Sequence, residues 1–143
     1  MREAAGPAAG LVRLSFLIQT VYTECSRDCG LTYAQAQLLC SLTFGPKGMA
    51  ELCGVLGVER SSLTGLVDRA EQRDLVERRP DPADRRAVRV ALTPSGEEAI
   101  GAFHRGITER LDALLADLPA AERKSFHLTL TKLTADAPPV FVD

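Results

Sequence analysis

Residues 60–96, RSSLTGLVDRAEQRDLVERRPDPADRRAVRVALTPSG, decide the fold. Leu63, Leu66, Val67 and Ala70 recur at helical spacing and predict one buried stripe of a helix over 60–73. The opposite face then carries Ser61, Thr64, Gly65, Asp68 and Gln72, flanked by Arg60, Ser62, Arg69 and Arg73. It is a small, hydrogen-bonding face. Leu75–Arg79 reads as a strand, 80–86 as a proline-bearing loop, and Ala87–Leu92 as the antiparallel return strand. Within that return, Val88, Val90 and Leu92 fall on one side and Ala87, Arg89 and Ala91 on the other. Thr93-Pro94 then opens a long helix, with threonine as N-cap and proline in the first turn.

Working outward, Leu11, Leu14, Ile18, Val21 and Cys25 recur every three or four residues, predicting a helix that ends near Gly30. Thr32 with Gln35 has the capping-box pattern for a second helix reaching Leu42, and Gly45-Pro46 closes it. A short helix over 47–56 follows, with Met49, Leu52, Cys53 and Leu56 inward and Gly57 as its stop. Beyond the hairpin, Ile100, Phe103, Ile107, Leu111, Leu114 and Leu118 stripe the long helix. Pro119 separates it from a last helix carrying Phe126, Leu130 and Leu133, and Pro138-Pro139 prevents continuation. The chain of 143 residues, 45% hydrophobic, is expected to fold as one mainly α domain with a small β-hairpin. Residues 1–8 are expected to form a disordered tail.

The formal net charge of -2 argues against indiscriminate coating of nucleic acid. Its distribution is uneven, however. Residues 58–90 hold eight arginines against seven acidic side chains, while the rest of the chain holds nine basic and twelve acidic ones. No apolar run approaches the roughly 20 residues of a membrane span, so no membrane partner is expected. Four cysteines without CxxC spacing or a signal peptide point to reduced thiols in the cytoplasm.

Two short helices joined by a glycine-containing turn, the second with a small polar outer face, form a helix-turn-helix whose second helix can enter a major groove. The hairpin adds a wing. Arg85 and Arg86 at its tip could reach a flanking minor groove, and Asp81 and Asp84 could fix the guanidinium directions through charge-assisted pairs. The segments LTYAQAQLL (31–39), LVDR (66–69), LVERR (75–79), DPADRR (81–86) and LTPSG (92–96), in that order, resemble the winged helix of the MarR family of bacterial transcription regulators.

The resemblance covers roughly residues 31–100. It implies a winged helix-turn-helix over 31–94 and dimerisation helices over 9–30 and 95–136. It further implies a homodimer acting as a repressor on a near-palindromic double-stranded operator, with affinity lowered by a small ligand or thiol oxidant. Carried onto this chain, the DNA-binding residues are Arg60, Ser61, Ser62, Thr64, Gly65, Asp68, Arg69, Arg73, Asp84, Arg85 and Arg86, with Asp84 steadying Arg86. Asp74 stands where the family favours glycine, so a left-handed, slightly strained turn is expected, and Glu59 replaces a better helix cap.

Phe16, Tyr22, Phe103 and His104 are the candidate walls of an effector cleft, against a competing reading as ordinary core. Cys25 and Cys29 are candidate redox thiols, whereas Cys40 and Cys53 read as inert packing. Glu24, Cys25, Cys29 and His104 are acceptable ligand types without dense metal-site spacing, so no metal or other cofactor is expected. The alternatives to an operator-binding regulator are a winged-helix module that binds protein, and a thiol oxidoreductase. The second alternative lacks any CxxC, nucleophile–base pair or phosphate loop.

Overall fold

Six helices and a three-stranded antiparallel sheet make up residues 6–139, the part described in the computed structural model. The order is α1 (Pro7–Asp28), α2 (Tyr33–Ser41), β1 (Lys47–Gly48), α3 (Met49–Leu56), α4 (Arg60–Gln72), β2 (Val76–Pro80), β3 (Val88–Leu92), α5 (Pro94–Leu115) and α6 (Ala120–Leu133). The core lies between α2, α3, α4, the sheet and the first half of α5, where Leu38, Leu39, Leu52, Leu63, Val67, Val76, Val90 and Phe103 are buried.

Local hydrogen-bond chemistry sets the helix starts. Thr32 Oγ1 accepts from the Gln35 amide at 3.1 Å, and Gln35 Oε1 accepts from the Thr32 amide at 3.1 Å, completing the capping box. Glu59 caps α4 by position alone, with no side-chain hydrogen bond. Thr93 does more. Its Oγ1 accepts from the Gly96 amide at 3.0 Å and donates to the Asp74 carbonyl, while its own amide donates to the Leu75 carbonyl at 3.2 Å. One threonine therefore ties the exit of α4, the root of the hairpin and the start of α5 together.

Several expectations shift. The helix already begins at Pro7, so the expected tail is shorter than 1–8; residues 1–5 lie outside the described part. Lys47 and Gly48 do not open α3 but form β1, pairing with Val90 and Arg89. This makes β3 the central strand, in order β1-β3-β2. Central placement also spoils the simple alternation: Val90 and Ala91, on opposite sides, are both buried, whereas Val88 is 42% exposed. The hairpin strands begin one residue later than expected, at Val76 and Val88.

Asp74 adopts φ 57°, the left-handed conformation expected there, and is the one non-glycine residue with positive φ among the described residues. A side chain there costs up to about 1–2 kcal/mol, less for Asp than for most residues. Asp74→Gly is therefore expected to leave stability unchanged or raise it by up to about 1 kcal/mol. Urea unfolding checks this, and a clear loss would mean that the 3.3 Å hydrogen bond from Ser95 Oγ to Asp74 Oδ2 outweighs backbone relief.

Away from the core, α1 and α5 are joined by Arg110, which donates to Glu24 Oε2 at 3.2 Å and also pairs with Asp28. The outer half of α1 and all of α6 bury almost nothing: Phe16 is 65% and Leu133 66% exposed, and no α6 residue is buried.

Candidate nucleic-acid interface

The face of α4 expected to meet DNA is open. Arg60, Ser61, Ser62, Thr64, Asp68 and Arg69 are exposed, while Leu63, Leu66, Val67 and Ala70 are buried against the core. Thr64 Oγ1 donates to the Arg60 carbonyl at 2.9 Å, which holds its side chain in one rotamer on the exposed face. Gly65 is half-buried because the Arg69 guanidinium lies over it, 3.2 Å from where a Cβ would stand. Because no side chain caps α4, its first amides remain available to a phosphate oxygen at the positive end of the helix dipole.

The wing turn is built by its aspartates. Asp81 Oδ1 accepts from the Ala83 amide and Asp84 Oδ1 from the Arg86 amide, each at 2.9 Å. Asp84 thus steadies Arg86 through its backbone, not through the charge-assisted guanidinium pair expected from sequence. The guanidinium is left to project from a fixed turn. Neither Arg85 nor Arg86 has an ion pair among the described residues, and both are exposed. A groove of about 490 Å³ brings Arg60 of α4 together with Arg86 and Arg89 of the wing and with Met49–Glu51 at the start of α3. Arg89 belongs to the arginine cluster of residues 58–90 in which phosphate contacts are expected but not to the expected DNA-contact residues, since its strand position gives no hint that β1 carries the α3 start beside it.

Two residues assigned to DNA have other work. Asp68 Oδ1 accepts from Arg78 Nη2 at 2.6 Å, and Glu71 accepts from Arg78 Nη1 at 2.9 Å and from the Arg78 amide at 3.1 Å. This clasp links α4 to β2. Asp68, expected at the DNA, is thus also paired within the protein. The Asp68 hydrogen bond pushes the Arg78 guanidinium pKa further up. Arg73 donates from Nη1 to Gln35 Oε1 at 2.8 Å, tying the end of α4 to the start of α2.

A family profile described as MarR family matches residues 30–87. The chain is 33% identical over 114 residues to the HTH-type transcriptional repressor NicR of Pseudomonas putida, covering 79% of this chain and 72% of that protein. The chain belongs to the MarR family. Among solved structures, the transcriptional regulator Tm0710 from Thermotoga maritima is similar with a TM-score of 0.73 and 34% identity, over 87% of this chain and 89% of that one. Apo MarR from E. coli is similar with a TM-score of 0.80 and 28% identity, over 92% and 98%. As a MarR-family member the protein is a DNA-binding transcription regulator and not an enzyme. Among the described residues no helix is long and apolar enough to cross a membrane.

The effector residues expected by resemblance to the MarR family are only partly brought together. Tyr22 and Phe103 meet with ring centroids 5.6 Å apart and line a crevice of about 380 Å³ with Tyr33, Cys40, Phe44, Val55 and Leu56. His104 is 6.0 Å from the Phe103 ring but lines a neighbouring groove of about 470 Å³ with Arg79 and Arg105. Phe16 belongs to neither. Six residues before Tyr22 is about one and two-thirds helical turns, so Phe16 points elsewhere, onto the open surface of α1. Tyr33, Phe44 and Val55 were missed because each is an exposed apolar residue that sequence alone assigns to no partner.

The redox assignment meets a physical obstacle. Cys25 is 2% exposed, its Sγ packed 3.4 Å from where a Cβ on Gly106 would lie. Burial pushes its pKa up against the opposing pull of Arg110, and burial raises that of Cys29 too. A sensing thiol needs the reverse, access and a lowered pKa. Cys40 and Cys53, expected as inert packing, are half-buried, and Cys40 Sγ lies 3.6 Å from His104 Nε2.

Proposed function

We propose that the protein is a homodimeric repressor that binds a pseudopalindromic operator and is released by a small apolar, aromatic effector. The observation that carries this reading is the groove in which Arg60, Arg86 and Arg89 converge beside the open hydroxyl face of α4. Helix and wing thereby offer one continuous surface to a major groove and the minor groove next to it. Ser61, Ser62 and Thr64 face base edges and phosphates, Arg69, lying over Gly65, swings out to track the backbone, and Arg85 and Arg86 reach past it.

Dimerisation follows from exposed apolar surface. A 14-residue helix such as α6 is marginal alone in water, and its Leu128 and Leu133 face solvent as Leu11, Val12, Phe16 and Leu17 do on α1. A second copy covering both is the simplest remedy. The crevice beside Tyr22 and Phe103 then supplies the effector pocket, since α2 and α3, which carry most of its walls, also carry the reader.

Gel shift of the gene's own upstream region against scrambled duplex tests the reading, with Thr64→Ala expected to alter base preference. Sedimentation should give a dimer for the parent and a monomer that binds more than tenfold more weakly for Phe16→Glu with Leu133→Glu. Equal retention of specific and scrambled duplex would favour a protein-binding module instead.

A further inference from the structure

We propose that Cys40 is a covalent modification site for apolar α,β-unsaturated carbonyl compounds, with His104 as the base that takes the thiol proton. The inference rests on the crevice as an effector pocket and does not depend on which operator is bound.

Three observations converge on this pair. Of the four cysteines, all in the thiol form, Cys40 is the one in the wall of the apolar crevice. Its Sγ lies 3.6 Å from His104 Nε2, although 64 residues separate the two in the chain. His104 in turn lines the groove on the other side, so the imidazole links a thiol in an apolar chamber to an opening lined by Arg79, Glu97 and Arg105. The two cavities are thus joined through one sulfur–nitrogen contact.

The resting pair is uncharged, so the thiol reacts only where the neighbouring imidazole takes its proton. Burial pushes the Cys40 thiol up to about 11 and pushes the His104 imidazole below its ordinary value. At neutral pH the sulfur therefore keeps its proton and the imidazole is neutral, so an electrophile that is not held beside the pair meets little thiolate. An electrophile with an aromatic body would instead be held by Tyr22, Tyr33, Phe44, Val55 and Phe103, in a space within the range of small-ligand pockets. Held there, it reacts in one balanced sequence. The thiol proton passes to Nε2 as sulfur bonds to the β-carbon, and the carbon–carbon π pair moves to give the enolate. The imidazolium then returns the proton to the α-carbon. The net change is addition of S–H across the double bond, with nothing oxidised or reduced. The adduct would sit between α2 and α5, against Val55 of α3.

Benzylideneacetone and its saturated analogue 4-phenylbutan-2-one provide the test, applied to the whole chain. Intact-mass and peptide analysis should show one benzylideneacetone per chain, on Cys40, absent in Cys40→Ser. His104→Ala should slow addition tenfold or more, and added imidazole should restore much of the rate, which a packing defect alone would not allow. Labelling of Cys29 or Cys53 ahead of Cys40, or an unchanged rate in His104→Ala, overturns the proposal. Should the saturated ketone bind while benzylideneacetone forms no adduct, the thiol chemistry is refuted and the effector crevice stands. If neither compound perturbs the protein, both fail.

Discussion

Replacing Gly96 by alanine is expected to destabilise the protein by about 3 kcal/mol or more, among the largest effects available to a single methyl group here. A Cβ at this position would lie 1.9 Å from the Leu75 carbonyl oxygen and 2.9 Å from its carbon. Neither atom can move cheaply. The Leu75 carbonyl already accepts from the Thr93 amide, and the Gly96 amide is held by Thr93 Oγ1. Because small domains have only about 5–15 kcal/mol of total stability, the loss would be a large fraction of it. Urea unfolding followed by circular dichroism checks the prediction against Gly101→Ala in the same helix. There the new Cβ would meet only the Arg105 guanidinium, at 3.4 Å, so a neutral or slightly stabilising change is expected. Equal behaviour of the two variants would show that the α4–wing–α5 junction is not rigid.

The second large effect concerns DNA. Arg85→Ala with Arg86→Ala should leave the fold intact, because both side chains are exposed and make no ion pair among the described residues. Operator affinity should nonetheless fall on the order of a hundredfold or more, since each arginine removed from a base edge costs about 1–3 kcal/mol. The salt dependence gives a sharper reading. Each phosphate no longer neutralised lowers the slope of log K against log salt by about 0.9, so four arginines in a dimer could remove up to roughly 3.6. A fall in affinity with no change in slope would place these arginines on bases alone; no fall at all would remove the wing from the interface. Arg78→Ala should behave differently. It breaks the clasp to Asp68 and Glu71 and should loosen the wing, although exposed pairs of this kind are each worth no more than about 1 kcal/mol to stability.

What the sequence made legible was chemistry confined to a few consecutive residues. The Thr32–Gln35 capping box, the Thr93-Pro94 helix start and the left-handed Asp74 are all settled within a turn of backbone, and all three stand in the structure. The buried stripe of α4 was equally readable, since period alone separates its two faces. Partners brought in from afar were not. Asp68 and Arg73, expected at the DNA, also bond Arg78, ten residues on, and Gln35, 38 residues back, and helical period shows neither partner. β1 was invisible because two residues carry no strand pattern and their pairing with β3 is set by tertiary placement. The separation of Phe16 from Tyr22 could have been read from helical geometry. The meeting of Cys40 with His104 could not.

The central claim is that the α4 face and the arginine wing act as one surface, offered twice to the same duplex. Hydroxyl-radical footprinting on the operator measures this most directly. Two protected patches are predicted, with centres about one helical turn, roughly 10 base pairs, apart and with flanking minor-groove protection that Arg86→Ala removes. A single patch, or protection that scrambled duplex reproduces equally well, would contradict the account.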